Sequence, residues 1–91
     1  MTYRPKDTEE RIDHRLKISK GHLEKVIKMV DNHEYCIDII HQIIAIQEAL
    51  KATSDLILEN HLNTCVADAI RKGKTKSAID EIMEIMKKKQ V

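Results

Sequence analysis

Cys36, His61 and Cys65 are the residues of this chain whose types and spacing could do chemistry. Thiolate sulfur and imidazole nitrogen are ligands for soft and borderline metal ions. His61 and Cys65 stand four residues apart, one helical turn, and so face the same direction on a helix. Cys36 is much further away in sequence. Along one continuous helix its separation from His61 is ~37 Å, too far for shared coordination within a chain. An antiparallel second copy would deliver Cys36 of one chain to His61 and Cys65 of the other, creating two equivalent sites between subunits. Two thiolates and one imidazole form a soft three-ligand set that suits Cu(I). Structural zinc normally takes a fourth ligand, and the sequence offers no clear candidate. A plainer reading also fits: both cysteines fall on an apolar stripe where a small hydrophobe would serve, and buried free cysteines are common. Spacing alone leaves the two readings open.

The other histidines add little. His33 lies three residues before Cys36 and could chelate with it, but it sits in a polar turn and is read as solvated. His14, His22 and His41 have no thiol or carboxylate at a compelling spacing and are read as structural or surface residues. Catalysis has no visible machinery: there is no Gly-rich phosphate loop, nucleophile elbow or cleft-forming carboxylate pair. An enzyme is not expected.

These candidate ligands need helices to position them. Two Gly, one Pro and long stretches of Leu, Ile, Lys, Glu and Ala predict an all-α chain of three helices. Asp7-Thr8 opens the first helix, with Glu10 placed to complete a capping box, and Ile12, Leu16, Leu23, Val26 and Val30 follow on one stripe. Asp31-Asn32 reads as a break and a new cap. A second helix of nearly forty residues then runs without Gly or Pro to Arg71-Lys72-Gly73, with apolar residues at steps of three and four. A third, short helix is capped by Thr75 or Ser77 and presents Ile79, Ile82, Met83 and Met86. Residues 1–8 are expected to form an N-terminal arm of a single domain spanning 1–91.

A chain of 91 residues with two Tyr and no Phe or Trp has little from which to build a core of its own. The second helix cannot bury its stripe against two shorter helices, so an antiparallel helical-bundle dimer is expected. The scarcity of aromatics also argues against nucleic-acid folds that stack bases on aromatic rings. No apolar run reaches the length of a signal peptide or a membrane span. The expected location is therefore the cytoplasm, where thiols stay reduced and cysteines serve as ligands or reactive thiols rather than a disulfide.

The net charge of +1 hides a strong asymmetry. Residues 1–30 and 71–91 are basic, whereas residues 31–70 carry one Lys against seven acidic side chains. Basic ends around an acidic middle predict a polyanionic partner. A charge-rich helix is usually a solvated face, but doubled or quadrupled by assembly it can follow DNA phosphates. The residues expected to do so are Arg11, Arg15, Lys17 and Lys20 of the first helix and Lys51 of the second. No helix-turn-helix or zinc-finger pattern is present, so the docking geometry must be another.

Tyr35-Cys36, Gln42-Ile43-Ile44-Ala45 with Ala49-Leu50, and His61-Leu62-Asn63-Thr64-Cys65-Val66 together resemble the copper-sensing operon repressors, the CsoR/RcnR family. The likeness runs from Arg15-Leu16 and Gly21 into the third helix, and the Cys…His-x-x-x-Cys spacing is that of the copper branch. It implies a homotetramer, a dimer of dimers, that binds operator double-stranded DNA when metal-free. Cu(I) held by Cys36 and by His61 and Cys65 of the neighbouring subunit would release the DNA and derepress copper export genes. Tyr35 and Glu81 match positions that link the ligand histidine to the third helix, and Arg15 matches a DNA-contacting position. A copper chaperone is a further partner that the resemblance admits. Relatives that sense nickel or cobalt carry an additional N-terminal histidine, and here none precedes His14. Persulfide sensors lack the histidine equivalent to His61, and aldehyde sensors lack the second cysteine. Ile18, Lys20 and His22 depart from the usual residues after Arg15-Leu16, so the resemblance does not define the operator. Two alternatives stay open: a sensor of nickel or of a thiol-reactive species on the same scaffold, and a helical interaction module that does not bind DNA.

Overall fold

A computed structural model describes residues 7–89; of the arm expected over residues 1–8, the first six lie outside them, while Asp7 and Thr8 belong to the start of the first helix instead. The described residues are helical almost throughout, without a strand among them. The helices are α1 (Thr8–Asp31), α2 (Cys36–His61), α3 (Ala67–Arg71) and α4 (Thr75–Lys89), with a π-helical turn, Leu62–Val66, joining α2 to α3. The run from Cys36 to Arg71 is therefore the long second helix expected from periodicity, but with one wide turn inside it. None of the helices is long and apolar enough to cross a membrane, among the described residues.

Local chemistry accounts for the helix ends. Asp7 is the N-cap of α1, its carboxylate accepting from the Glu10 N–H at 2.8 Å, and Thr8 is already helical. Asn32 does not cap α2, as the sequence had indicated; it is the C-cap of α1. There the His33 N–H donates to the Val30 carbonyl at 3.1 Å and the Glu34 N–H to the Met29 carbonyl at 3.0 Å. This is a Schellman ending, and its left-handed position is filled by His33 at φ 55° instead of by glycine. The Tyr35 carbonyl then accepts from the Ile39 N–H, which starts α2. Arg71 ends α3 in the same manner. Gly73, at φ 78°, donates to the Ile70 carbonyl, and the Lys74 N–H donates to the Ala69 carbonyl at 2.8 Å. Here the left-handed position does hold glycine, the residue that adopts it without steric cost.

The chain packs as two compact units divided between Ile57 and Leu58, inside α2. In the first unit α1 and α2 form an antiparallel helical hairpin. His22 Nε2 donates across it to Gln42 Oε1 at 2.7 Å, so His22 is a structural residue tying the two helices together. The seam buries Ser19, Val26 and Met29 of α1 with Ile46 and Thr53 of α2. The Thr53 hydroxyl donates back to the Ala49 carbonyl at 3.0 Å, but the buried Ser19 hydroxyl has no partner among the described residues. In the second unit α4 packs against α3, and Ala78 of α4 is buried.

Both backbone and core features have measurable consequences. An orphaned buried hydroxyl costs about 1 kcal/mol or more, and Ala is the better helix former. Ser19→Ala therefore raises stability by about 1 kcal/mol, read as a higher urea midpoint at unchanged slope; a loss of that size would mean that the hydroxyl is satisfied. Left-handed backbone costs a residue with a Cβ ~1–2 kcal/mol, partly offset by the greater unfolded-state freedom of glycine. His33→Gly accordingly stabilises by about 0.5 kcal/mol, while the β-branched His33→Val destabilises. Equal melting of both variants would contradict the strain at this turn.

Candidate metal centre

Cys36 is the first residue of α2 and His61 its last, so one helix carries donors at both ends. The α1 ending delivers the chain through Glu34 and Tyr35 to Cys36, whose thiol is free and exposed. Tyr35 is two-thirds exposed, although it is the only aromatic among the described residues and large apolar rings are normally covered. His61 is half-buried, whereas Cys65, in the π turn, is free and exposed.

The π turn is what separates the environments of the two closely spaced donors. In an uninterrupted α-helix a half-buried face recurs every three or four residues. Here the half-buried residues step from His61 to Val66, and Leu62, Asn63, Thr64 and Cys65 between them are all exposed. A five-residue step matches the i→i+5 bonding of a π turn, a device that recurs at functional sites. Thr64 belongs to this turn: its hydroxyl donates to the Asn60 carbonyl at 2.7 Å and lies 3.6 Å from the Cys65 sulfur. Spacing puts His61 and Cys65 one α-turn apart and gives no sign of the wide turn or of Thr64; Thr53 makes the same bond to the carbonyl four residues back inside regular α2, so a threonine alone does not mark the turn.

Among the described residues of one chain, no group of three or more His, Cys, Asp or Glu side chains is gathered in a way that could hold a metal ion. Cys36 belongs to the first compact unit, and His61 and Cys65 to the second. The donor set itself fits a soft ion: two unpaired, accessible thiols and one imidazole, with no disulfide between the thiols. Glu81, on α4, is exposed.

The basic residues singled out in the sequence are all exposed. At 3.6 residues per turn the four on α1 divide into two pairs, Arg11 with Arg15 and Lys17 with Lys20. The packing shows the same division. Arg15 borders a cleft of about 370 Å³ with Ile18, Ser19, Ala49 and Thr53. Lys20 borders another of about 240 Å³ with Leu16, Leu23, Ile46 and Leu50, on the opposite flank of Ser19. Lys17 is held by Asp13 at 2.8 Å in an exposed i,i+4 ion pair, and Lys51 projects from α2.

Residues 8–88 match the model of the metal-sensitive transcriptional repressors. The chain belongs to that family. It is a family of transcriptional repressors and not of enzymes. Over 88 residues the chain is 38% identical to the copper-sensing transcriptional repressor CsoR of Bacillus subtilis, covering 97% of this chain and 87% of that one. It is 34% identical over 87 residues to CsoR of Mycobacterium ulcerans, covering 96% and 74%. Among solved structures it resembles the Cu(I)-bound copper-sensing repressor CsoR of Geobacillus thermodenitrificans at 43% identity and a TM-score of 0.89, over 100% of this chain and 95% of that one. The nickel-responsive transcriptional regulator InrS shares the fold at 25% identity and a TM-score of 0.76, covering 96% and 98%. The all-α architecture expected from composition and periodicity is the architecture of this repressor family.

Proposed function

We propose that this chain is a Cu(I)-responsive transcriptional repressor that binds operator DNA without metal and is released on copper binding, derepressing copper export genes. The observation that carries this reading is a soft donor set, Cys36, His61 and Cys65, on a chain that aligns over its full length with a Cu(I)-bound repressor. The whole of residues 1–91 acts as one metal-sensing, DNA-binding domain, with an N-terminal arm. In this reading Cys36 meets His61 and Cys65 of a second copy, as an antiparallel pair of α2 helices with candidate ligands at both ends allows. Antiparallel dimers arranged this way carry two equivalent sites, and two dimers form the tetramer. Exposed Leu16, Leu23, Ile40, Ile43 and Leu50 on α1 and α2 supply apolar surface for those contacts.

When bound, Cu(I) supplies a soft centre that ties two thiolates and an imidazole from two chains. His61 and Cys65 reach it from the end of α2 and the wide turn, and Cys36 from the start of the partner's α2. Tyr35 and Glu81 orient the ligand histidine and connect it to α4. Arg11, Arg15, Lys17, Lys20 and Lys51 hold DNA phosphates, with the Arg11–Arg15 and Lys17–Lys20 faces repeated by assembly. Metal and DNA favour different arrangements of one assembly, so each weakens the other's binding. A 100-fold effect needs only about 2.7 kcal/mol of coupling. The protein works in the cytoplasm, where a copper chaperone is the natural source of the ion.

Competition against a strong Cu(I) chelator tests the donor set. Cys65→Ser is expected to weaken binding by at least ~100-fold, beyond what loss of a supporting partner costs; unchanged binding would remove the triad. X-ray absorption of the loaded protein should show a three-coordinate centre with two sulfurs and one nitrogen, whereas tighter nickel binding would favour the nickel reading. The DNA reading has its own test in gel shifts of upstream DNA: a complex without copper and none with it. No complex in either condition would leave a helical interaction module. Arg15→Ala and Lys20→Ala should each lower the salt-dependence slope of operator binding by ~0.9 per lost phosphate contact. Slopes equal to the natural protein's would take these residues out of the interface.

A further inference from the structure

The geometry points to Thr64 as a positioning residue for the copper site: its hydroxyl holds the π turn that presents the Cys65 thiol outward beside His61. This rests on the copper reading above and assigns the site a residue that donates nothing to the metal. Three observations carry it. The turn Leu62–Val66 is π-helical between two α-helical stretches. Its exposed run Leu62–Cys65 interrupts the half-buried face between His61 and Val66. Within it, one side chain closes the backbone, the Thr64 hydroxyl donating to the Asn60 carbonyl at 2.7 Å while lying 3.6 Å from the Cys65 sulfur.

In an α-helix each carbonyl accepts from the N–H four residues on. A π turn bonds to the fifth residue and widens the ring, which is why such turns are rare and short. A hydroxyl that donates to the carbonyl four residues back supports the altered geometry without using the backbone N–H of its own residue. Without this support the local chain falls back toward 3.6 residues per turn, and the residues beyond it shift in register against those before. Cys65 then no longer stands on the exposed run, and its sulfur and the His61 ring lose the relative aim that the wide turn supplies. The second possible acceptor, the Cys65 sulfur itself, lies 3.6 Å from the same hydroxyl, so the clamp sits directly beside the ligand.

Two substitutions separate the hydroxyl from the bulk. Thr64→Val keeps the β-branched shape and removes the donor, whereas Thr64→Ser keeps the donor and removes the methyl. Cu(I) affinity is measured for each by chelator competition, with the sulfur and nitrogen count taken from X-ray absorption. Amide hydrogen exchange of residues 60–66 is measured in the metal-free protein. Thr64→Val is expected to bind Cu(I) ~10–100-fold more weakly, the loss typical of removing a supporting hydrogen-bond partner, and to change exchange across 60–66. Thr64→Ser should restore both to within a few-fold of the natural chain. Natural affinity and exchange in Thr64→Val overturn the proposal, and so does Thr64→Ser failing as badly as Thr64→Val, which would assign the effect to the methyl group. A natural chain that binds no Cu(I) overturns the copper reading, and with it Thr64's role toward the metal. The exchange comparison then still decides whether the hydroxyl holds the turn.

Discussion

Too little of this chain's apolar surface is covered by the chain itself. Among the described residues the buried apolar side chains are Val26, Met29, Ile46 and Ala78, while Ile18, Ile27, Ile37, Ile40, Ile44, Ile57 and Ile79 are about half exposed. With no Phe or Trp available, helices must bury surface through many small aliphatic contacts, and one chain offers too few facing elements to do so. Further copies relieve this constraint. In the proposed assembly, the association that covers the isoleucines also completes the donor set, so stability and sensing rest on one contact.

The hydrogen bond from His22 to Gln42 ties α1 to α2, and the buried Thr53 hydroxyl is satisfied within its own helix. Ser19 remains an uncompensated hydroxyl at the centre of the seam, between the cleft bordered by Arg15 and the cleft bordered by Lys20. A seam with open clefts on both flanks is less closely packed than an ordinary interior, and Arg15 and Lys20 stand beside those clefts. That location suits residues whose arrangement must differ between two states of an assembly.

The second unit concentrates its irregularity where its chemistry lies. A helix that is regular from Cys36 to His61 changes pitch at the next residue and recovers at Ala67. Such a turn gives up good backbone geometry, and it persists where side chains support it. The exposed Cys65 thiol falls within this turn, four residues after the half-buried His61.

Most of the architecture was legible in the residues. The Asp7 cap, the absence of Gly and Pro between Gly21 and Gly73, and the glycine ending at Gly73 mark helix limits through local steric and hydrogen-bonding rules, which operate within a few residues. The candidate donors stand out in the sequence too, because the chain has only two thiols and their chemistry does not depend on the fold. Tertiary structure decided what those rules leave open. His33 took a left-handed position that glycine usually fills, Asn32 closed one helix instead of opening the next, and the helix seam left clefts beside Arg15 and Lys20. Above all, it converted the turn after His61 from α to π. Periodicity reports which residues are apolar, but the pitch of a single turn depends on how its side chains and carbonyls satisfy one another in three dimensions.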